Sequence, residues 1–368
     1  MNVEQIQMQE VELALKVPFR THQGTVHSRK LIIVKAIDRE GRVGYGEVTA
    51  FETPFYTAET NDTAWYLIKE ILLPSLDLPS ILHPEDFANA VPSIQGHPMA
   101  KAGVEGALWD LFAKQSGKSL KNLIGGTRET VKAGAVLSLS SSLEQDINQL
   151  KQEGYQRFKL KVKKGEEREL IEAVQAIDPE LPIMIDANGQ YTEADIEHVQ
   201  SLDDANLLMI EQPFRAGDFY LHRLLQAKMV TPICLDESIM SADDAIQAIR
   251  LKSGSIINIK ISRVGGLAAA IRIHDYCKQH NVPVWCGGMV ESGISKAHNL
   301  ALASLEQFTI PGDLSGSTRY FEKDLVSPLL EVVNGEMIVP QGDGIGVNVD
   351  EEYMEKQTIR SFTFEVYS

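Results

Sequence analysis

The feature that most constrains this chain is a period. Eight short apolar runs recur along it: GAVLSL (134–139), RFKLKV (157–162), PIMID (182–186), NLLMIE (206–211), PICLD (232–236), IINIK (256–260), PVWCG (283–287) and FTI (308–310). Residues near their ends are Val136, Lys161, Asp186, Glu211, Asp236, Lys260, Trp285 and Ile310, with successive separations of 25, 25, 25, 25, 24, 25 and 25. Amphipathic stretches with helix punctuation lie between them. LEQDINQLKQEG closes on Gly154, while TEADIEHVQSL and SADDAIQAI open on Thr192 and Ser241, each with an acid three residues on. Pro182, Pro232 and Pro283 stand at strand starts, where proline is tolerated. Short continuous apolar runs read as parallel strands covered on both faces. Eight equal βα units predict a (β/α)8-type barrel. A doubly wound open sheet does not require eight equal units, and no GxGxxG follows the first run.

The flanks do not share the period. Residues 31–48 read as a hairpin, followed by helices near 59–72, 84–91 and 98–116, the last closing on Gly117. After 320, LLEVVNGEMIVP reads as a second hairpin turning at Asn334–Gly335. The expected organisation is an N-terminal α+β domain (1–125), a barrel (126–320) and a segment (321–368) that returns to the N-terminal domain. With 368 residues, 43% of them apolar, a large core is available. A net charge of −16 with few basic clusters argues against nucleic acid or anionic membrane as partners. No apolar run approaches membrane-spanning length, and MNVEQIQMQEVELAL lacks the pattern of a secretory signal. Cys234, Cys277 and Cys286 include no CxxC, so they read as small buried hydrophobes in a reducing, cytoplasmic setting.

Five consecutive units carry Lys161, Asp186, Glu211, Asp236 and Lys260 at matching positions. A carboxylate at the C-terminal end of a barrel strand points into the mouth, where barrel active sites lie. One such acid reads equally well as a helix cap. Three in a row repel one another and lose hydration, a cost that a hard divalent cation removes. An all-oxygen set suits Mg²⁺, with Mn²⁺ as the alternative, and the lack of a His- or Cys-rich set disfavours zinc. The lysines flank the acids from opposite sides. They read as structural ion pairs, or as groups that move a proton next to a metal-held carboxylate. Lys159 lies on the same strand face as Lys161, ~6.6 Å away. At an effective dielectric near 20, two charges at that distance repel by roughly 2.5 kcal/mol, which favours loss of a proton from one of them.

KLK (159–161), DANG (186–189), EQPF (211–214), DES (236–238) and NIKISRVGG (258–266) together resemble the enolase superfamily, in its muconate lactonizing enzyme subgroup. Within it, WCGGMVESGISKAHNLALAS (285–304) and FTIPGDLSGSTRYFEKD (308–324) are similar to the o-succinylbenzoate synthase and N-acylamino acid (N-succinylamino acid) racemase family. The resemblance implies an α/β fold: a modified TIM barrel of (β/α)7β type under an α+β capping domain built from both termini. It implies Asp186, Glu211 and Asp236 as metal ligands, Lys161 and Lys260 as the acid/base pair, and Lys159 as a helper. In a synthase Lys161 takes the α-proton and Lys260 stabilises the enediolate; in a racemase both exchange protons. The expected partner is a small-molecule carboxylate substrate, with the chain acting as a homo-oligomer. TIPGDLSGS carries Asp313 without a second acid two residues on, unlike the Asp-x-Asp of dipeptide epimerases. Ser138, Asn188, Gly288 and Met289 are expected to line the substrate pocket, although Asn188 also suits an Asx-turn. Residues 18–29 read as a loop that closes over substrate or as ordinary surface. Gly265–Gly266 reads as a tight turn.

Overall fold

Two long strands, β1 (Val3–Thr21) and β2 (Gly24–Asp38), open the chain, and β3 (Val43–Val48) follows after the turn at Gly41. The computed structural model describes residues 1–366 apart from 22–23, 92, 138–139 and 141. The 18–29 stretch, expected to lack regular structure, is largely strand: Phe19 pairs with Val26, Arg20 with Thr25 and Thr21 with Gly24. Helix Pro98–Gln115 packs across β3. Gly44 and Gly46 make that approach close, since a Cβ on Gly46 would lie 2.0 Å from the Gly103 carbonyl oxygen. A helix carbonyl therefore lies where any side chain would project.

The remaining strands in chain order are β4 (Thr130–Lys132), β5 (Ala135–Leu137), β6 (Phe158–Lys161), β7 (Ile183–Asp186), β8 (Ile210–Glu211), β9 (Ile233–Leu235), β10 (Ile256–Ile259) and β11 (Val284–Cys286). Then come β12 (Val326–Ser327), β13 (Glu336–Ile338), β14 (Asn348–Val349) and β15 (Thr358–Glu365). Strands β5 to β11 form one parallel sheet in sequence order, and β15-β1-β2-β3 form the antiparallel one. The prolines at strand starts serve the ladder through their carbonyls. Pro182, Pro232 and Pro283 accept from the Phe158, Ile210 and Ile257 N–H groups of the preceding strands.

FTI, expected as the eighth strand, is not one. Residues 308–313 instead close the barrel by isolated bridges, Val284 to Phe308 and Gly287 to Asp313 on one side and Ala133 to Gly312 on the other. Pro311 has no N–H to give a continuous ladder. The helix that follows is one turn, Ser317–Tyr320. The 330–340 hairpin is also corrected. Asn334 (φ 52°) and Gly335 (φ 72°) do turn, but β13 pairs with β4, and only Val333–Glu336 bridges back.

Two buried carboxylates fasten the antiparallel layer to barrel helices. Glu105 accepts from the Leu267 and Ala268 N–H groups at the start of helix Leu267–Gln279. A Cβ on Gly266 would fall 2.0 Å from that carboxylate, which is why the Gly265–Gly266 turn must be small there. Glu47 accepts from the Ser292 N–H (3.0 Å), the Ser295 N–H (3.3 Å) and the Ser292 hydroxyl at the start of helix Gly293–Ala303. Helix N-termini offer free N–H groups and a positive dipole end.

Candidate active site

The inner face of the barrel has an apolar floor of Met184, Met209, Cys234, Ile256 and Trp285. One step up the same strands comes the charged layer, because inward side chains recur every second residue. Lys161 pairs with Asp186, and Asp186 with Glu211, so the 25-residue spacing is the true register there. Beyond Glu211 it is not. Glu211 pairs with Cys234, which sets Asp236 two residues higher, and Leu235 pairs with Ile257, which raises Lys260 again. Each two-residue step is ~6.6 Å, the stagger a closing barrel requires. The five residues thus form a rising arc rather than a level row.

Lys159 departs most from expectation. Its ammonium, set against Lys161 in the sequence reading, lies 2.6 Å from Asp313, 2.9 Å from Glu211 and 3.2 Å from Asp186. Burial works against its charge, but Asp313, Glu211 and Asp186 outweigh it and raise its pKa well above the lysine range. Its charge is compensated where it sits, so little repulsion reaches Lys161. Lys161 itself is more than half exposed to the cavity, 3.5 Å from Asp186 and 3.3 Å from the Asn188 side-chain oxygen. Lys260 is buried at the other end of the arc, donating to Asp236 and to the Tyr56 hydroxyl, both at 2.9 Å. Burial lowers its pKa, Asp236 raises it, and the result lies above the usual range.

The carboxylates differ in kind. Burial, with Asp186 beside it, pushes Glu211 up to about 8 against the pull of Lys159. Burial also acts to raise Asp236, but Arg263 and Lys260 hold it at about 2. Arg263 donates to Asp236, to the Asn258 carbonyl (2.9 Å) and to the Ile239 carbonyl (2.9 Å). Asn258 donates to Glu211 at 3.0 Å. Among the described residues no three Asp, Glu, His or Cys groups converge as a ready-made cage. The Lys159 ammonium stands among them, taking two of the three candidate ligands. A divalent cation nevertheless fits the chemistry of the set: three buried carboxylates on adjacent strands, one of them raised by burial and by the like charge of Asp186 beside it, a cost that a cation would offset.

Asn188 is in the left-handed region (φ 44°), but it is Asp186 that makes the Asx-turn, accepting from the Asn188 N–H at 3.1 Å. The Asn188 amide donates to Glu237 (3.0 Å). Gln212 (φ 40°) ties two strand ends, accepting from the Asp236 and Ser238 N–H groups. Asn188, Gly288 and Met289 line a cavity of about 820 Å³ together with the three lysines, Asp186 and Asp236. Ser138 lies outside the described residues. Sequence alone gives no site role to Arg157, Arg263, Glu237 or Tyr56, and it marks Asp313 only as lacking a second acid two residues on. Asp313 is fixed by Arg157 at 2.5 Å, and its own N–H and carbonyl bond Cys286 and Gly288. Arg263 had a readable signal, since it stands one helical turn after Lys260. Glu237 stood inside the quoted DES. Arg157 opens the quoted RFKLKV, two residues before Lys159 and on the same face, and Tyr56 had no signal.

Comparison with known proteins agrees with this architecture. Residues 142–353 match the family described as Enolase C-terminal domain-like, and residues 4–125 match the Mandelate racemase / muconate lactonizing enzyme, N-terminal domain. The chain is 46% identical to an o-succinylbenzoate synthase of Bacillus subtilis (strain 168), over 98% of each chain. It is 39% identical to an N-succinylamino acid racemase of Thermus thermophilus, over 98% of each. An enolase-superfamily member of known structure from Listeria innocua superposes with a TM-score of 0.95 at 42% identity, covering 99% of both chains.

Proposed function

The chain belongs to the mandelate racemase / muconate lactonizing enzyme family of the enolase superfamily, and from that premise we infer that it is an o-succinylbenzoate synthase. The reaction dehydrates a succinyl-hydroxycyclohexadiene carboxylate to the aromatic product, a step of menaquinone biosynthesis. The observation that carries this reading is the pair of unlike lysines at the two ends of the carboxylate arc. Lys161 faces the open cavity, while Lys260 is clamped as a cation by Asp236 and Tyr56. That asymmetry suits one base and one fixed positive charge.

Divalent-metal dependence runs through the superfamily. Asp186, Glu211 and Asp236 would hold the ion, Mg²⁺ by the hardness of the set or Mn²⁺, and it would supply positive charge for the substrate carboxylate. Lys161 takes the proton α to that carboxylate, leaving an enediolate whose charge faces the Lys260 ammonium. Lys161 then returns the proton to the departing hydroxyl, which leaves as water, so one proton moves out and back. Lys159 stays charged beside Asp313. Phe51, Tyr56 and Met289 give the cavity an apolar and aromatic lining.

N-succinylamino acid racemase is the second reading. It is supported by relatives of that name at 39% and 36% identity, and by a lysine on each side of one carboxylate set. A cytoplasmic homo-oligomer is the form proposed: the three cysteines are free and buried, as suits a reducing compartment, and light scattering tests the assembly. Assaying purified protein on both substrates decides between the activities. Fast racemisation without dehydration overturns the synthase. Activity that survives EDTA, with borohydride trapping of substrate, replaces both readings by Schiff-base chemistry.

A further inference from the structure

Arg29 is a buried cation that the sequence gives no reason to notice. It is 2% exposed, and among the described residues no carboxylate stands within ion-pair distance of it. Burying a guanidinium without such a partner costs several kcal/mol unless its N–H groups are well satisfied. All three of its nitrogens donate to backbone oxygens. Nε donates to Val290 (3.1 Å), one terminal nitrogen to Lys30 (2.9 Å) and Ala50 (2.7 Å), and the other to Thr49 (2.6 Å). Its plane covers the Phe51 ring at 4.1 Å. One rigid fork therefore binds three pieces of chain: its own strand β2, residues 49–51 after β3, and the loop after β11.

Those pieces form one wall of the cavity. Phe51, Phe55, Tyr56, Met289 and Val290 all line it. Phe51 packs on Phe55 (centroids 4.6 Å) and meets Tyr56 edge-on (6.2 Å). The Tyr56 hydroxyl in turn accepts from Lys260 at 2.9 Å and from Arg263 at 3.3 Å. A lysine cannot replace this hub, because it has neither the planar fork nor the face that stacks. We propose that Arg29 is a positioning residue: by fastening residues 49–51 to Val290 it seats Tyr56 against Lys260. The inference rests on the reading of Lys260 as the fixed cation of the reaction.

The test uses the full chain as R29K, R29A, Y56F and R29K/Y56F. R29K is expected to lower kcat by about tenfold or more, with KM within about threefold and Tm within about 2 °C. The double variant is expected to be no slower than the slower single one, as for residues acting through one another. Amide hydrogen exchange is expected to quicken at 49–56 and 288–291 together in R29K. Millimolar guanidinium is expected to restore part of kcat to R29A, and ethylammonium none. The proposal is overturned by an unchanged kcat in R29K, by additive losses in the double variant, or by exchange that quickens at neither or only one segment. Should wild type turn over neither substrate, the functional reading fails by itself, and the exchange comparison still decides the role of Arg29. Should R29A not fold, R29K carries the test.

Discussion

Asp313→Asn removes the one partly exposed charge from a group of five whose other four members are buried or face the barrel interior. Arg157 and Lys159 are the cations, and Asp313, Glu211 and Asp186 the anions. Asp313 touches both cations, at 2.5 and 2.6 Å, and Arg157 has no other carboxylate partner among the described residues. Breaking a buried pair from one side costs about 3–5 kcal/mol, because the other charge stays buried. At ~2.1 cal/mol/K per residue the unfolding entropy of 368 residues is roughly 0.8 kcal/mol/K, so Tm should fall by about 4–6 °C. A second effect has its own readout. With Asp313 neutral, Lys159 keeps only Glu211 and Asp186, two of the candidate metal ligands, and competes with the ion for both. Mn²⁺ affinity, read by electron paramagnetic resonance on the unliganded protein, should weaken by about tenfold, or ~1.4 kcal/mol. A Tm within about 1 °C of wild type together with unchanged Mn²⁺ affinity would refute the assignment of Asp313 as the counter-ion of Lys159.

Other outcomes follow from the same geometry. Lys161→Ala should leave stability within about 0.5 kcal/mol, because the side chain is more than half exposed, yet cut turnover about 10²–10⁴-fold; equal losses in both would sink its role as base. Lys260→Met should lose turnover and also about 3 kcal/mol of stability, since it strips a partner from buried Asp236; urea midpoints check this. Gly46→Ala should cost about 3 kcal/mol or more by driving a Cβ into the Gly103 carbonyl, and a variant as stable as wild type would show that the helix can retreat. Burial, reinforced by Glu291, raises Glu47 from 4.5 to about 7. Below about pH 4.5 both states hold the proton. Between 4.5 and 7 the unfolded chain releases it first, so stability falls as pH rises, by about 3 kcal/mol in all. Glu47→Gln should flatten that fall between about pH 4.5 and 7 relative to wild type, and parallel stability–pH profiles would contradict it.

Much of the architecture is legible because strand chemistry repeats locally. Inward-facing residues recur every second position, and the apolar runs, prolines and caps mark each βα unit. The carboxylates at three successive ends could be read without knowing how the strands pair. Their heights could not, because the offsets at Asp236 and Lys260 arise only when the sheet closes. FTI looked like an eighth strand because its composition is β-like, but Pro311 and the need to meet two edges at once leave bridges instead of a ladder. Asp313 reads in the sequence only as an acid without a second one two residues on, since its partners Arg157 and Lys159 lie more than 150 residues earlier. Along the chain Lys159 stands two residues from the like charge of Lys161, whereas three carboxylates from other segments set its charge.

The sequence by itself determined the barrel type, the order of strands β5 to β11 and the strand ends that carry Lys161, Asp186, Glu211, Asp236 and Lys260. Those follow from period and alternation, which are properties of neighbouring residues. Tertiary structure decided which charges neutralise which, why Lys161 is open while Lys260 is clamped, and how Arg29 and Tyr56 of the antiparallel domain reach the site. Coulomb and hydrogen-bond energies depend on distance through space and on burial, and along the chain neither quantity exists until the fold has closed.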